Sequence, residues 1–95
     1  MTLSRQEFMA LSGLQQETLT VWLEEQWLIP SDTSAGPSFS EIDLARARLI
    51  RTLQQDLGVN DEGVAVILDL VDQLHGMRRV LRELRQAEHN RESKP

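Results

Sequence analysis

The sequence predicts an all-α, mainly helical protein in which a helix-turn-helix unit with a small wing precedes one long helix. Three observations lead to this fold class. Two short amphipathic segments flank a turn at Gly13, and a polar, turn-rich stretch follows at residues 31–37. An uninterrupted helical pattern then runs from Asn60 to about Glu88. A length of 95 residues is typical of one domain, so these elements should share one modest core.

The first two helices follow from local signals. Ser4 and Glu7 have the spacing of a capping box, which predicts a helix from Arg5 to about Leu11. Gly13 gives the turn a residue that tolerates positive φ. A second helix is predicted from about Gln16 to Gln26, because its apolar side chains recur at helical spacing. These apolar positions are Leu19, Trp22 and Leu23.

The wing is predicted from the stretch that follows the second helix. Residues 28–30 read as a brief extended run, and Ser31–Pro37 reads as a loop because it is rich in small, polar and turn-forming residues. Residues 38–39 would then return beside residues 28–29. This pairing predicts a minimal two-stranded wing.

A third helix is predicted to begin after Ser40, which stands three residues before Asp43 in another cap-like pattern. It should end at Leu57, with Gly58 as the left-handed residue after the helix. Asn60 is then placed as the N-cap of the long helix. The apolar residues of the third helix are Ile42, Leu44, Ala45, Ala47, Leu49, Ile50 and Leu53.

The long helix carries two apolar stripes. The first comprises Val64, Ile67, Leu68 and Val71. The second follows the 4-3-4-3 step of a coiled-coil seam and comprises Leu70, Leu74, Met77, Leu81 and Leu84. Such a helix would be about 40 Å long, more than the remaining residues cover. The chain is therefore predicted to divide into a winged helix-turn-helix domain at 1–59, a long helix for packing and dimerisation at 60–88, and a frayed polar tail at 89–95.

The second stripe predicts a homodimer. Leaving its five side chains in water would forgo about 1.5–3 kcal/mol each. An antiparallel pairing would also bring residues 78–85 of one chain, which are rich in arginine, near Asp69 and Asp72 of the other. In the alternative, the helix bends near Gly76 and its tail folds back over its own domain, because glycine weakens a helix by about 1 kcal/mol relative to alanine.

Composition excludes several classes of protein. No apolar run approaches the ~18 residues of a membrane helix, and the N-terminus has no signal-peptide pattern, so a cytoplasmic protein is expected. There is no cysteine for a disulfide or a zinc–thiolate site. Lys and Arg total 10 against 15 Asp and Glu, and the net charge of −5 repels phosphate backbones and attracts basic partners.

Neither an enzyme nor a metal or cofactor site is predicted. The chain has no Cys, no Tyr and no Gly-rich phosphate loop. His89 is isolated, and His75 has only Asp72 three residues before it. A catalytic zinc site usually needs three protein ligands, so this pair is a weak signal.

The second helix would read DNA in a helix-turn-helix protein, yet its composition disfavours that role. The stretch from Gln16 to Trp27 contains Glu17, Glu24 and Glu25 but no Lys or Arg. Gln15 and Gln16 could contact a base, but without cations for the phosphates the affinity would be weak, so these residues disfavour DNA binding. The glutamates are either a solvated helix face or a protein-binding face.

Other conspicuous side chains have both a structural and a functional interpretation. Trp22 is predicted to lie in the core, whereas Trp27 fits the core and an interface about equally. The acidic residues of the long helix lie on roughly one side and form either a solvated face or a surface for a basic partner. These residues are Asp61, Glu62, Asp69 and Asp72. The cluster of Arg46, Arg48 and Arg51 is expected to pair with surface carboxylates.

Two segments resemble MerR-type regulators. Val21–Pro30 is similar to the end of a MerR recognition helix entering its wing, and Phe39–Arg51 is similar to the wing exit and third helix. Asp56–Leu74 resembles the bacterial chaperone-modulator family, the CbpM-like proteins, in the order Leu-Gly-Val-Asn, Glu-Gly-Val and Leu-Val-Asp-Gln-Leu. The resemblance extends over almost the whole chain.

The second resemblance implies a small bacterial regulator that binds the J-domain of a DnaJ-like, CbpA-type co-chaperone and inhibits its work with Hsp70. J-domains present a basic helix to Hsp70, so the acidic surfaces become candidates for this contact. The candidates are Asp61, Glu62, Asp69 and Asp72 on the long helix, and Glu17, Glu24 and Glu25 on the second helix. The alternative is a MerR-type transcriptional regulator that binds DNA.

Overall fold

The computed structural model describes residues 2–92. The chain forms two compact units, and the boundary between them in the sequence lies between Val64 and Ala65. The predicted class, a mainly helical winged helix-turn-helix with a long C-terminal helix, is confirmed. The elements in chain order are α1 (Arg5–Ser12), α2 (Gln16–Glu24), β1 (Ser31–Thr33), β2 (Gly36–Ser38), α3 (Glu41–Arg51), a π-helical segment (Thr52–Asp56) and α4 (Asp61–Glu92).

Both predicted capping boxes are present at helix N-termini. At α1 the Glu7 N–H donates to Ser4 Oγ at 3.2 Å, and the Ser4 N–H donates to the Glu7 carboxylate at 2.9 Å. Ser40 and Asp43 repeat this exchange at α3, where Asp43 is the one charged side chain that is buried among the described residues. These bonds satisfy amides that the first helical turn leaves free.

Helix α2 ends two residues earlier than predicted. Gln26 adopts φ 61°, and the Trp27 N–H then donates to the Trp22 carbonyl at 2.9 Å. This left-handed turn directs the chain inward, and both Trp27 and Leu28 are buried. The last two residues of the predicted helix thus lie in a tight turn, and the two large apolar side chains that follow Gln26 are buried.

The wing forms, but its predicted strand pairing is wrong. β1 and β2 are antiparallel, with Ser31 opposite Ser38 and Thr33 opposite Gly36, so the strands occupy the stretch predicted as a loop. Leu28 is buried instead of pairing in the wing, and Phe39 forms a bridge with Leu3. Burial of these large apolar side chains moves the hairpin into the polar residues between them.

The core of the first unit surrounds two aromatic pairs. The rings of Phe8 and Phe39 stack with centroids 4.2 Å apart, and those of Trp22 and Trp27 lie 6.1 Å apart at a tilt. Both tryptophans are buried, which confirms the prediction for Trp22. The other buried apolar residues of this unit are Leu3, Leu14, Leu19, Leu28, Ala47, Ile50, Leu53 and Val64.

The third helix ends where the sequence predicts, although its last turn widens into the π-helical segment. The Leu57 N–H donates to the Thr52 carbonyl, and Gly58 has φ 67°. The Asn60 side chain then accepts from the Gly63 N–H at 2.8 Å, as expected of an N-cap.

Helix α4 continues without interruption through Gly76 to Glu92, four residues beyond the predicted end. Residues 93–95, the rest of the predicted frayed tail, lie outside the described residues. In the second unit Leu68 is buried, and Ile67 and Val71 are half-buried.

Candidate protein-interaction surfaces

The exposed face of α2 is acidic with an apolar centre. Glu17, Val21 and Glu24 follow at spacings of four and three residues, which places them within about 60° of one another around the helix. All three are exposed, and Val21 retains 48% of its surface. Glu25, at the end of the helix, is also exposed. The face that would read DNA therefore presents carboxylates and a valine.

Arg5, the arginine nearest to α2 in the sequence among the described residues, makes a structural contact. Arg5 Nη2 donates to Thr20 Oγ1 at 3.2 Å, and Thr20 Oγ1 donates to the Gln16 carbonyl at 2.9 Å. This guanidinium links α1 to α2. It adds no cation to the sequence of α2 itself.

The acidic candidates on α4 are all exposed. Asp61 and Glu62 occupy its first turn, where negative charge complements the helix dipole, and Asp61 accepts from Gln54 Nε2 at 2.9 Å. In the second unit, Asp69 and Asp72 stand three residues apart and project from neighbouring turns. Asp69 accepts from Gln73 Nε2 at 2.9 Å, a bond that leaves its carboxylate open to solvent.

The predicted seam is an exposed apolar stripe on α4. Its members are between 49% and 63% exposed, and they are Leu70, Leu74, Met77, Leu81 and Leu84. Val66 and Val80, which the sequence interpretation missed, are exposed as well. Val66 precedes Leu70 by four residues, whereas the alternating 4-3 step extended back from Leu70 reaches Ile67, so the seam pattern by itself does not indicate Val66.

A row of arginines lies beside this stripe, within the arginine-rich residues 78–85 that the predicted antiparallel pairing would bring near Asp69 and Asp72 of a second chain. Arg78, Arg82 and Arg85 share a face of α4 and line, together with Leu81, a shallow hollow of about 210 Å³. An adjoining hollow of about 410 Å³ extends along the helix to Arg91. The repeat of arginine at four- and three-residue spacing accounts for the shared face.

The arginines of α3 have mainly structural contacts. Arg51 Nη1 donates to the Ser12 carbonyl at 2.6 Å, and Arg46 Nε donates to the Trp27 carbonyl. For Arg51 this bond replaces the surface ion pair that the sequence predicts. Arg48 is exposed.

The titration of one carboxyl reflects its helix-capping role. The backbone N–H of Ser4, followed by its hydroxyl, lowers the pKa of Glu7 below the ordinary value. Both donors favour the charged form. The ionised carboxylate therefore stabilises the start of α1 above its ordinary pKa, and this contribution is lost as the pH falls through the lowered pKa.

Residues 2–92 contain neither a candidate metal cluster nor a helix that could cross a membrane. Within this range, no group of three or more His, Asp or Glu side chains is placed to hold a metal ion. His75 and His89 are both exposed on α4. No helix in the same range is long and apolar enough to cross a membrane.

Comparison with known proteins identifies the family. Residues 3–86 match the family described as MerR HTH family regulatory protein, and the chain belongs to this family. It is also similar to the "Chaperone modulatory protein CbpM" of Coxiella burnetii (strain Dugway 5J108-111), with 29% identity over 77 residues. This alignment covers 80% of the chain and 73% of the relative.

The proteins of the same description from the Coxiella burnetii strains RSA 331 / Henzerling II and CbuG_Q212 match with the same identity and coverage. No solved structure matches the chain significantly. The predicted resemblance to CbpM-like proteins of the MerR type is thus confirmed. A role as a chaperone modulator agrees with this distant relationship.

Proposed function

We propose that this protein is a non-enzymatic chaperone modulator that binds the J-domain of a DnaJ-like, CbpA-type co-chaperone and inhibits its activity with Hsp70. The observation that carries the proposal is the similarity to relatives described as chaperone modulatory proteins, which extends over 80% of the chain. The acidic α2 supports it, because a helix-turn-helix protein that presents carboxylates at its reading helix is better suited to a basic protein surface than to DNA. Action in the bacterial cytoplasm is part of this proposal.

Asp69 and Asp72 are our first choice for the J-domain contact. Both are exposed on α4, and the resemblance implies a basic helix on the J-domain. Complementary charge accelerates encounter and fixes orientation. Asp61 and Glu62 are further candidates at the start of the same helix. If the contact lies on α2 instead, its candidates are Glu17, Glu24 and Glu25.

The competing function is that of a DNA-binding transcriptional regulator, and membership of the MerR family supports it. DNA binding draws most of its affinity from cations that neutralise phosphates. The sequence of α2 contains no Lys or Arg, and its exposed face carries Glu17 and Glu24. We therefore rank this function second.

A binding experiment with charge-reversed variants tests the proposal. A labelled J-domain of the CbpA type is titrated with the wild type and with Asp69→Lys/Asp72→Lys over a range of salt concentrations. The double variant should associate more slowly, and its association rate should depend less on ionic strength, because the complementary field is removed. Asp32→Lys/Asp56→Lys is the matched control, since it makes the same change of charge at exposed positions outside α4.

The outcomes separate the competing surfaces and functions. Unchanged J-domain binding by a folded Asp69→Lys/Asp72→Lys variant would move the contact to the glutamates of α2. The wild type is also titrated with random and genomic DNA at low salt. Salt-sensitive DNA binding at micromolar or tighter affinity, with no J-domain signal, would overturn the proposed function in favour of the regulator.

We also propose that the protein self-associates as a homodimer through the exposed stripe on α4. Five large apolar side chains at coiled-coil spacing are each about half exposed or more in the single chain. A second copy of the same helix would supply matching side chains at the same spacing.

A further inference from the structure

The row of arginines on α4 is a basic face with an apolar centre. Arg78, Arg82 and Arg85 lie within about 60° of one another around the helix. Leu81, which is 53% exposed, completes the lining of the hollow between them. The hollow therefore offers guanidinium groups around an aliphatic floor, and this combination suits a carboxylate that lies next to an apolar side chain.

The charges of this face are unbalanced within the described chain. None of the three guanidinium groups has a hydrogen-bond or ion-pair partner among residues 2–92. No Asp or Glu stands three or four residues from Arg78 or Arg82, and Glu88, three residues after Arg85, is the one carboxylate at such a spacing from the row. Like charges at a spacing of four residues disfavour the helix, so a negatively charged occupant would relieve a repulsion as well as add contacts.

The exposed face of α2 has the complementary pattern. Glu17 and Glu24 are separated by seven residues, as are Arg78 and Arg85, so each pair spans about 10 Å along its helix. Exposed Val21 stands between the two glutamates, as Leu81 stands between the two arginines. The two faces are therefore opposite in charge and equal in length, and each has an apolar side chain between its charged ends.

The net charge is also unevenly distributed along the chain, with the acidic part first and the slightly basic part second. Residues 1–64 contain ten Asp and Glu against four Arg, a net charge of −6. Residues 65–95 contain five Asp and Glu against six Lys and Arg, a net charge of +1. A second copy of the chain therefore carries the acidic surface that the arginine row lacks, at equal concentration.

We propose that the arginine row of one protomer binds the Glu17–Val21–Glu24 face of a second protomer. The proposal rests on the proposed self-association and specifies a polar contact beside the apolar stripe. Two-fold symmetry would form the contact twice, because each protomer contributes one acidic and one basic face. It differs from the antiparallel pairing predicted from the sequence, which would bring the same arginines near Asp69 and Asp72 of the second chain. It also assigns the glutamates of α2 a role separate from that of Asp69 and Asp72.

A charge-swap experiment on the full chain tests this pairing. One variant, Glu17→Arg/Glu24→Arg, reverses the acidic face, and the other, Arg78→Glu/Arg85→Glu, reverses the basic face. Each variant alone brings like charges together in both contacts, so its dimer dissociation constant should rise at least tenfold. An equimolar mixture restores opposite charges in both contacts, so the two variants should form a mixed dimer with affinity near that of the wild type.

Sedimentation of fluorescently labelled variants reports both the separate and the mixed states. Arg79→Glu is the control for α4, because it reverses one arginine about 90° around the helix from the row and should leave dimerisation within about twofold. Circular dichroism checks that each variant is folded. Dimers that are insensitive to all the reversals, or weakened dimers that mixing does not restore, would overturn the pairing.

Failure of this pairing is distinguishable from failure of the proposed function. The Arg78→Glu/Arg85→Glu variant retains Asp69 and Asp72, so it should bind the labelled J-domain like the wild type. Loss of the mixed dimer with intact J-domain binding would overturn the pairing alone. A mixed dimer formed by proteins that do not bind the J-domain would overturn the proposed function and leave the pairing standing.

Discussion

Arg51 caps the C-terminus of helix α1, although it lies 39 residues after Ser12 in the chain. Its Nη1 donates to the Ser12 carbonyl at 2.6 Å, and the last turn of α1 has no basic residue of its own. The cation therefore satisfies a carbonyl at the negative end of the helix dipole. Gly13, with φ 75°, leaves room for this contact, because a Cβ there would lie only 2.9 Å from Arg51 Nη1.

Arg51→Ala should lower the free energy of unfolding by about 1–2 kcal/mol, since it leaves a part-buried carbonyl without a charged donor. Arg48→Ala is the matched control. It removes the same side chain from an exposed position of α3, and its effect should stay within about 0.5 kcal/mol. Urea unfolding of the three proteins checks the difference. Equal destabilisation by both substitutions would contradict the capping role of Arg51.

Gly76 lies in the interior of α4, where glycine has a low helix propensity. The helix passes through it without interruption, its φ is not positive, and a Cβ added there would meet nothing within 4 Å. Gly76→Ala should therefore raise helix stability by about 0.5–1 kcal/mol, because alanine loses less backbone entropy than glycine. Thermal melting followed by circular dichroism measures the change.

Gly63→Ala provides the contrast for this prediction. It lies in the first turn of the same helix, but its Cβ would come within 2.6 Å of Val59 Cγ1. This substitution should lower the melting temperature, whereas Gly76→Ala raises it. If Gly76→Ala also destabilises the protein, position 76 requires the conformational freedom of glycine, as the alternative of a helix bent near Gly76 would demand.

The elements that the sequence predicts well are those with local causes. Ser4 and Ser40 each lie three residues from the carboxylate that completes their capping box, and Gly58 is adjacent to the helix that it ends. The wing depended on distant contacts instead. The bridge between Leu3 and Phe39 joins residues 36 positions apart, and no local pattern indicates it.

The left-handed conformation of Gln26 could not be predicted from its local sequence either. Glutamine is an ordinary helix former, so its propensity favours one more turn of α2. Burial of Trp27 and Leu28 outweighs that preference, since large apolar side chains gain about 1.5–3 kcal/mol each when they leave water. For the candidate site, the sequence identified the acidic side chains, the stripe on α4 and the arginine-rich residues 78–85, and the structure adds the hollow that three of these arginines line.

The helix-turn-helix family is associated with DNA binding, but α2, the helix that would contact DNA, carries negative rather than positive side chains. The family model matches residues 3–86, and α1 and α2 are separated by a three-residue turn at 13–15. The exposed side chains of α2 are nonetheless carboxylates around Val21. The scaffold and the surface therefore point to different partners, and the surface determines which partner binds.

The apolar stripe on α4 predicts the oligomeric state. Leu74→Asp/Leu81→Asp places two charges in the stripe, where burial against a second copy would desolvate them, so the dimer should dissociate into folded monomers. The monomer should remain folded because both leucines are about half exposed in the single chain. Ala65→Asp/Gln86→Asp adds two carboxylates at exposed positions of α4 outside the stripe and should remain dimeric. Multi-angle light scattering distinguishes the two states, and a monomeric wild type at the highest concentration measured would refute the pairing.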